Sequence, residues 1–367
     1  MPDFLPGLQL NDLFYHQVVQ PILDAHFPGL PHSAARLGYG SEVLGYDDET
    51  STDHDWGPRL QLFLSEADWE REATAVSAIL SNNLPSTFRG YPVHFGPPDE
   101  EGTRLLVQNH VGPIAHRIEV TTVRCFFQNY MALDPFADLS VADWLTTPQQ
   151  LLLGATTGQV YVDGLGQLTA VRHRLAYYPH DIWLYLLASQ WARIGQEDHF
   201  VGRTAQRNDE LGSRLLAARL VHDLMQLCFL MEKQYAPYPK WFGTAFKHLQ
   251  SAAAMEPVLQ QVLTATHPAN REAGLCAAYE LAAQLHNGLH ITEWLDTAVS
   301  PFHNRPFRVI HAARFVQAIK NAITDPAVLA IGHNIGSIDQ FSNNTDLRET
   351  RRLHRRLTTL YQSMEES

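Results

Sequence analysis

The sequence predicts an α/β plus α protein, in which an N-terminal domain built around a mixed sheet precedes a C-terminal helical bundle domain. Strand-like alternation and helical periods are interleaved over the first 130 residues, whereas helical periods alone continue from about Asp181 onward. The length of 367 residues also exceeds what one hydrophobic core usually organises. We therefore expect two domains, at 1–175 and 176–367, with the boundary near the end of the segment 133–175.

The first domain is predicted to combine helices with short strands. Apolar residues recur at helical spacing over 11–26 and 68–82, so each stretch is expected to be a helix. Leu60, Leu62 and Leu64 alternate as one face of a strand should. Turn residues and β-branched or aromatic content predict three further strands, at 34–39, 91–95 and 117–127. The glycine-bounded stretch 158–166 is expected to resemble a hairpin.

The second domain is predicted to be entirely helical. Its longest helix, over 209–235, has a broad apolar face that includes Leu211, Leu215 and Leu220 and is expected to be buried. A C-terminal stretch with five arginines and one glutamate, 348–356, predicts an amphipathic helix that docks on the bundle. Other helices are expected where helical periods lie between prolines, at 244–255, 271–287 and 307–323.

Composition narrows the functional classes. Lys and Arg total 27 against 39 for Asp and Glu, a formal net charge of −12, which argues against nucleic acid as the partner. Cys125, Cys228 and Cys276 are widely spaced, which argues against a disulfide framework or a cysteine zinc site and favours the cytoplasm. Since no run of 18 apolar residues occurs and the first residues carry no basic stretch, we expect neither a membrane span nor export.

Two short motifs carry the strongest chemical signal. Gly40-Ser41 follows a predicted strand, where glycine allows close approach to the backbone, and N–H groups and a hydroxyl can bind phosphate. Asp53-His54-Asp55 follows; in an extended segment the two carboxylates would project to the same face. Two like charges at such a distance need compensation, and Mg²⁺, which prefers oxygen ligands, would supply it. A phosphate-binding turn and a carboxylate pair together favour metal-assisted nucleotidyl transfer.

Gly40-Ser41, eleven intervening residues and Asp53-His54-Asp55 resemble the signature of the DNA polymerase beta-like nucleotidyltransferase superfamily. The resemblance implies a third carboxylate on a later strand. Glu119, between apolar neighbours in the predicted strand 117–127, matches that position best. Asp163 is the alternative, although its glycine neighbours suit a turn equally well. A solvent-facing strand residue paired with Arg117 or Arg124 is the other interpretation of Glu119.

Further stretches resemble a bacterial branch of that superfamily known as a domain of unknown function. They are 40–45, 53–59, 177–185, 209–214 and 235–241. Such proteins are similar to aminoglycoside nucleotidyltransferases, in which a catalytic sheet domain precedes a helical domain that helps to hold nucleotide and acceptor. In the general pattern the residue between the aspartates is apolar and a hydrophobic strand follows, whereas here His54 intervenes and Pro58 follows.

Three more charged residues are candidates for the site, each with a structural alternative. Arg59 could neutralise phosphate or form a structural salt bridge. Lys240 could reach a triphosphate from the helical domain or lie solvated in a loop. Glu210 could act as general base for an acceptor hydroxyl, as the resemblance implies, or place a favourable charge at a helix N-terminus.

These expectations converge on Mg²⁺-dependent transfer of a nucleotidyl group from a nucleoside triphosphate, ATP above all, to an acceptor hydroxyl. Asp53, Asp55 and Glu119 would hold the metal, and Gly40 and Ser41 the triphosphate. A small molecule or a protein side chain is the expected acceptor, with RNA ranked last. The alternatives are a nucleotide-binding regulatory protein without catalysis and a helical interaction protein.

Overall fold

The chain divides into two units, which are described separately. A computed structural model describes residues 3–100 and 102–361. Unit 1 comprises Met1–Asp138 and Leu151–Ala176, and unit 2 comprises Leu139–Gln150 and Tyr177–Ser367. The protein is a mixed α/β structure with a small mixed sheet in the first unit and a helical C-terminal region. The segment 139–150, which precedes the expected boundary, belongs with the helical unit.

Helices and strands alternate up to residue 176. In chain order they are α1 (Gly7–Phe14), a π-helical turn (Tyr15–Val19), α2 (Gln20–His26), β1 (His32–Arg36), a 3₁₀ turn (Glu49–Asp53), β2 (Arg59–Leu64), α3 (Glu66–Asn83), β3 (Thr87–Phe88), β4 (Tyr91–Pro92), β5 (Arg117–Thr121), α4 (Val123–Met131), α5 (Val141–Thr146), α6 (Gln149–Thr156), β6 (Gln159–Asp163) and α7 (Leu168–Arg174).

Helices dominate the rest of the described chain. They are α8 (His180–Ala205), α9 (Glu210–Met231), α10 (Pro239–Phe246), α11 (Ala252–Thr264), α12 (Pro268–Gly288), α13 (Ala313–Ala322), α14 (Pro326–Leu329), α15 (Ile338–Phe341), α16 (Thr345–Glu349), α17 (Arg351–His354) and a 3₁₀ turn (Arg355–Tyr361), with two-residue strands β7 (Ser300–Pro301) and β8 (Arg308–Val309). No helix within residues 3–100 and 102–361 is long and apolar enough to cross a membrane.

The main sheet has the order β5-β2-β1-β6. Strand β1 pairs antiparallel with β2 and with β6, while β2 and β5 are parallel. One face contributes Ala34, Leu60, Leu62 and Ile118 to a core that also contains α1 and α3 side chains. The stretch 158–166 therefore supplies an edge strand to β1 rather than the expected hairpin.

The helix predicted over 11–26 begins earlier, at Gly7, and contains a π-helical turn. Pro21 lies in the first turn of α2 and has no backbone N–H. The carbonyl group four residues earlier therefore lacks its usual α-helical donor, and the preceding turn adopts a π-helical hydrogen-bond pattern. The turn keeps Tyr15 and Val19 buried on the sheet side.

The strand predicted over 117–127 is wrong beyond Thr121. Thr122 caps a helix there, because its hydroxyl accepts a hydrogen bond of 3.0 Å from the N–H of Cys125. Helix α4 then buries Val123, Phe126 and Tyr130 on one face. Val123, Phe126 and Tyr130 are spaced three and four residues apart, which is the helical period.

Four other expectations are corrected. The helix predicted over 244–255 is interrupted, since α10 ends at Phe246 and Pro257 lies inside α11. The helix predicted over 307–323 begins only at Ala313, after β8. The C-terminal segment forms two short helices and a 3₁₀ turn instead of one amphipathic helix, and 91–95 keeps only a two-residue strand.

Helix α9 is central to unit 2 and packs against α8, α11 and α12. Its apolar face is buried from Ala217 onward, but Leu211 and Leu215 are 81% and 61% exposed, so the predicted burial is wrong for the first turns. The core beside it includes His286, whose ring lies against Phe315 and Trp191.

Burial lowers the pKa of His286 to about 4. An unfolded histidine titrates near 6.5, so the unfolded chain binds a proton first as the pH falls. The stability contributed by neutral His286 is complete above about pH 6.5 and is lost toward pH 4, by about 3 kcal/mol. We expect His286→Phe to flatten the fall in the free energy of unfolding over that range. His303→Phe, at an exposed site, should leave the slope unchanged, and an equal slope in both variants would contradict the prediction.

Candidate functional site

Three arginines stand at one edge of the main sheet. Arg36 ends β1, while Arg59 and Arg117 begin β2 and β5 and face each other in the parallel register. Because β1 runs antiparallel to the other two strands, its last residue lies beside their first residues. All three line a cavity of about 270 Å³ in unit 1. The topology thus gathers positive charge at a concave surface.

A buried carboxylate holds two of these arginines. Glu42 is 2% exposed, and its Oε1 accepts hydrogen bonds from Arg36 Nε at 2.9 Å and from Arg59 Nη2 at 2.6 Å. Burial alone would raise the pKa of Glu42, but the two guanidinium groups hold it below its usual value. Burial and the neighbouring Arg36 lower the pKa of Arg59 to about 10, so it stays protonated at neutral pH. The cluster of Glu42, Arg36 and Arg59 therefore carries one net positive charge.

The loop after β1 closes over this cluster and contains Gly40-Ser41. Gly40 has φ +136°, and a Cβ there would overlap the carboxylate of Glu42, so glycine is required on both grounds. The N–H groups of Leu44 and Tyr46 donate to the carbonyl of Ser41. Arg36 also donates to the carbonyls of Leu37 and Tyr39. The glycine-serine turn is thereby fixed at the same sheet edge as the arginines.

Glu119 lines the cavity together with Gln61, its partner in the β2–β5 register. Although Glu119 is a solvent-exposed residue of β5, desolvation by the neighbouring protein raises the pKa of its carboxyl group, and the positive charge of Arg36 and a hydrogen bond from Gln61 only partly offset that effect. A carboxylate with a raised pKa accepts a proton more readily than one with the usual pKa. Tyr39, Phe126 and Tyr130 supply an aromatic wall to the same cavity.

The aspartate pair does not have the expected geometry. Asp53 ends a 3₁₀ turn and Asp55 has φ +43°, so the segment is not extended and the prediction of two strand residues on one face is wrong. Asp53 lies 2.7 Å from Nδ1 of His54, and Asp55 pairs with Nη1 of Arg117 at 2.8 Å. Pro58 and Gly57 delay the strand until Arg59.

Asp53, Asp55 and Glu119 do not form a common three-carboxylate cluster among the described residues. In the part of the chain that the structure describes, no group of three or more His, Cys, Asp or Glu side chains is placed to hold one. Asp53 and Asp55 each face a cationic or titratable side chain, as described, and Glu119 lines the arginine cavity. The metal role predicted for these residues stays a prediction.

Other candidates occupy structural positions. Asp163 accepts hydrogen bonds from Ser33 Oγ at 2.7 Å and from the N–H of Thr169 at 2.8 Å, and so caps α7. Glu210 of unit 2 pairs with Arg271 and Arg214, which lower its pKa to about 2 and make it a weak base at neutral pH.

Lys240 lies exposed in the first turn of α10, with its ammonium group 4.8 Å from the ring centre of Trp241. It belongs to the helical unit, and its role toward a triphosphate stays a prediction.

Sequence reasoning missed Arg36, Glu42 and Arg117 as residues of the site. Glu42 lies inside the glycine-serine motif, and Arg59 was a candidate for either phosphate or a salt bridge; the structure shows the salt bridge and the cavity together. A glutamate between two glycines of a tight loop was the available signal, but its partners are 6 and 17 residues away.

Comparison with known families gives one finding. Residues 144–242 match the model of the family described as "Domain of unknown function (DUF4037)". The match contains the stretches 177–185, 209–214 and 235–241 named above, but not the motifs at 40–55. No curated protein and no solved structure matches the chain.

The Glu42 cluster gives a stability test. Glu42→Gln leaves two guanidinium groups without their carboxylate, and we expect the free energy of unfolding to fall by about 3–5 kcal/mol. Glu66 forms an exposed ion pair with Arg124 at 3.8 Å, so Glu66→Gln should cost at most about 1 kcal/mol. Denaturant titration measures both, and equal losses would contradict the assignment of a buried cluster.

Proposed function

We propose that this protein binds a nucleoside triphosphate at the arginine cavity of unit 1 and transfers its nucleotidyl group to an acceptor hydroxyl. The observation that carries the proposal is the convergence of Arg36, Arg59 and Arg117 on one cavity beside the Gly40-Ser41 turn. Guanidinium groups match phosphate oxygens in geometry and charge. A triphosphate would find positive charge there, with the Gly40-Ser41 turn in the adjoining loop.

Arg117 is the group best placed to contact phosphate directly. Its side chain is 34% exposed, whereas Arg36 and Arg59 are buried against Glu42. Its present partner Asp55 is equally exposed, and such an ion pair is weak enough to exchange for a phosphate. Arg36 and Arg59 would contribute a fixed field, and Arg117 the movable contact.

We propose Glu119 as the general base of the chemical step. Its raised pKa suits it to take the proton of an acceptor hydroxyl. The acceptor oxygen then forms a bond to the α-phosphorus, the bond to the bridging oxygen breaks, and pyrophosphate leaves with its electron pair. ATP is the triphosphate we propose, and a small molecule or a protein side chain the acceptor.

The proposed need for Mg²⁺ rests on the Asp53-His54-Asp55 pattern alone. When bound, the ion would neutralise charge on the phosphates. The same residues favour a second candidate function, nucleotide binding without catalysis. Asp53 and Asp55 are engaged with His54 and Arg117, and the segment that carries them is not extended. A regulatory nucleotide-binding protein needs the arginine cavity but not the carboxylate pair.

Binding of ATP to the full chain tests the cavity. We expect Arg117→Gln to weaken binding by about tenfold or more, because a charge-assisted contact to phosphate is lost. Arg71→Gln removes an exposed arginine paired with Asp68 and Glu72 and should not change the affinity. Calorimetry measures both. If wild-type protein binds no triphosphate, with or without Mg²⁺, the proposal is wrong and a helical interaction protein is the better hypothesis.

Transfer from ATP labelled at the α-phosphate separates catalysis from binding. With acceptors of each class, and with the chain itself as acceptor, wild-type protein should incorporate label in the presence of Mg²⁺. Glu119→Gln should bind ATP and transfer about a hundredfold less, the usual effect of losing a general base. The double variant Asp53→Asn, Asp55→Asn should lose the Mg²⁺-dependent transfer. Binding without transfer in wild type supports the regulatory function instead.

A further inference from the structure

Unit 2 contains a cavity of its own, of about 250 Å³. It lies between α8, the first half of α12 and the residues just before and within β8. Apolar walls are supplied by Val201, Leu275 and Phe307, which are all buried. The size suits a compact organic molecule of one ring.

A carboxyl group that no arginine or lysine of the described chain pairs with lines this cavity. Asp198 is 7% exposed and accepts hydrogen bonds only from the backbone N–H groups of His199 and Ile310, with Nδ1 of His199 at 3.4 Å. Within the described chain no arginine or lysine lies within ion-pair distance of it. Burial raises the pKa of Asp198 to about 7, because those N–H groups only partly offset desolvation. A buried carboxylate in this state gains much from a cation.

A buried hydroxyl without a partner lines the same cavity. Tyr279 is 1% exposed, and its hydroxyl has no hydrogen-bond partner among the described residues. Tyr279 lines the cavity together with Asp198, and burial, followed by the charge of Asp198, raises the pKa of this phenol. Native proteins rarely leave such a hydroxyl unsatisfied, so an absent ligand or water is expected to bind it.

The sign of the charge in the cavity is negative. Glu272 adds a second carboxylate, and Arg308 is the cation in the lining. Arg308 is solvent-exposed, whereas Asp198 is buried, so water screens the arginine far more than the aspartate. An anionic ligand would be repelled by Asp198 in the cavity wall.

We propose that this cavity is a binding site for a small organic ammonium compound with an apolar body. The ammonium group would donate hydrogen bonds to the carboxylate of Asp198 and to the hydroxyl oxygen of Tyr279. The apolar body would lie against Leu275 and Phe307. The site is independent of nucleotidyl transfer, since every residue that lines it belongs to unit 2.

Benzylammonium, with benzyl alcohol as its neutral analogue, is the probe. The full chain is titrated by calorimetry without nucleotide at about pH 8, where most of Asp198 is ionised. We expect saturable binding of benzylammonium and at least about tenfold weaker binding of the alcohol. Absence of saturable binding to wild type, or equal affinity for the two probes, overturns the proposal.

Variants assign the binding to this cavity. Asp198→Asn keeps an acceptor for the Ile310 N–H but removes the charge, and should weaken benzylammonium by about tenfold or more. Tyr279→Phe removes only the unpartnered hydroxyl, so it should keep the melting temperature and weaken binding about fivefold.

Tyr178→Phe is the matched control, since Tyr178 is also a buried tyrosine with an unpartnered hydroxyl but does not line this cavity. It should bind as wild type does. Ala205→Leu fills the cavity without changing any polar group and should abolish binding. If Asp198→Asn and Tyr279→Phe bind benzylammonium as tightly as wild type, the site is wrongly assigned.

Discussion

The ion-pair cluster of Glu42 with Arg36 and Arg59 is the constraint on which the rest of the first unit depends. Three charged groups out of water are stable only when their hydrogen bonds are nearly all made, and here one carboxylate oxygen accepts from both guanidinium groups. The cluster ties the loop after β1 to the first residue of β2. The path of the loop, and the glycine at position 40, follow from that requirement.

The same cluster determines the charge of the cavity. Two guanidinium groups share one carboxylate, so a positive charge is left over, and Arg117 from the adjacent strand adds another. Asp55 neutralises Arg117 only through a half-exposed pair. A ligand that brings its own negative charge can therefore replace Asp55 without disturbing the buried groups. The charges of Arg36, Arg59 and Glu42 are thus fixed by burial, and only the Arg117–Asp55 ion pair can exchange its partner.

Much of the secondary structure could be predicted, and much of the site could not. The helices α3 and α12 follow from periodicity because each buries one regular face, and the strand β2 follows from the alternation of its leucines, although all six of its residues are buried. Helix α4 was misread because its Val, Thr and Phe content suits a strand, although Thr122 and the spacing of its buried residues specify a helix.

The aspartate motif shows where sequence patterns fail. Its residue types were correctly singled out as unusual, but a pattern contains no backbone angles. The left-handed Asp55 is held by a long-range contact, the hydrogen bond from its N–H to the carbonyl of Arg104, whereas Asp48 caps the 3₁₀ turn that ends at Asp53. The partners of Glu42 are likewise set by strand pairing, which local spacing does not reveal.

Net charge is a property of the whole chain and does not predict the charge of a site. A formal charge of −12 coexists with a cavity lined by Arg36, Arg59 and Arg117. Screening limits the reach of surface charges to about 8 Å at physiological salt, so a small polyphosphate inside a cavity experiences mainly the local arginines. A long nucleic acid would also contact the acidic surface outside it and lose the gain from counterion release. The acidic balance therefore argues against an RNA or DNA partner and leaves a nucleoside triphosphate compatible with the same chain.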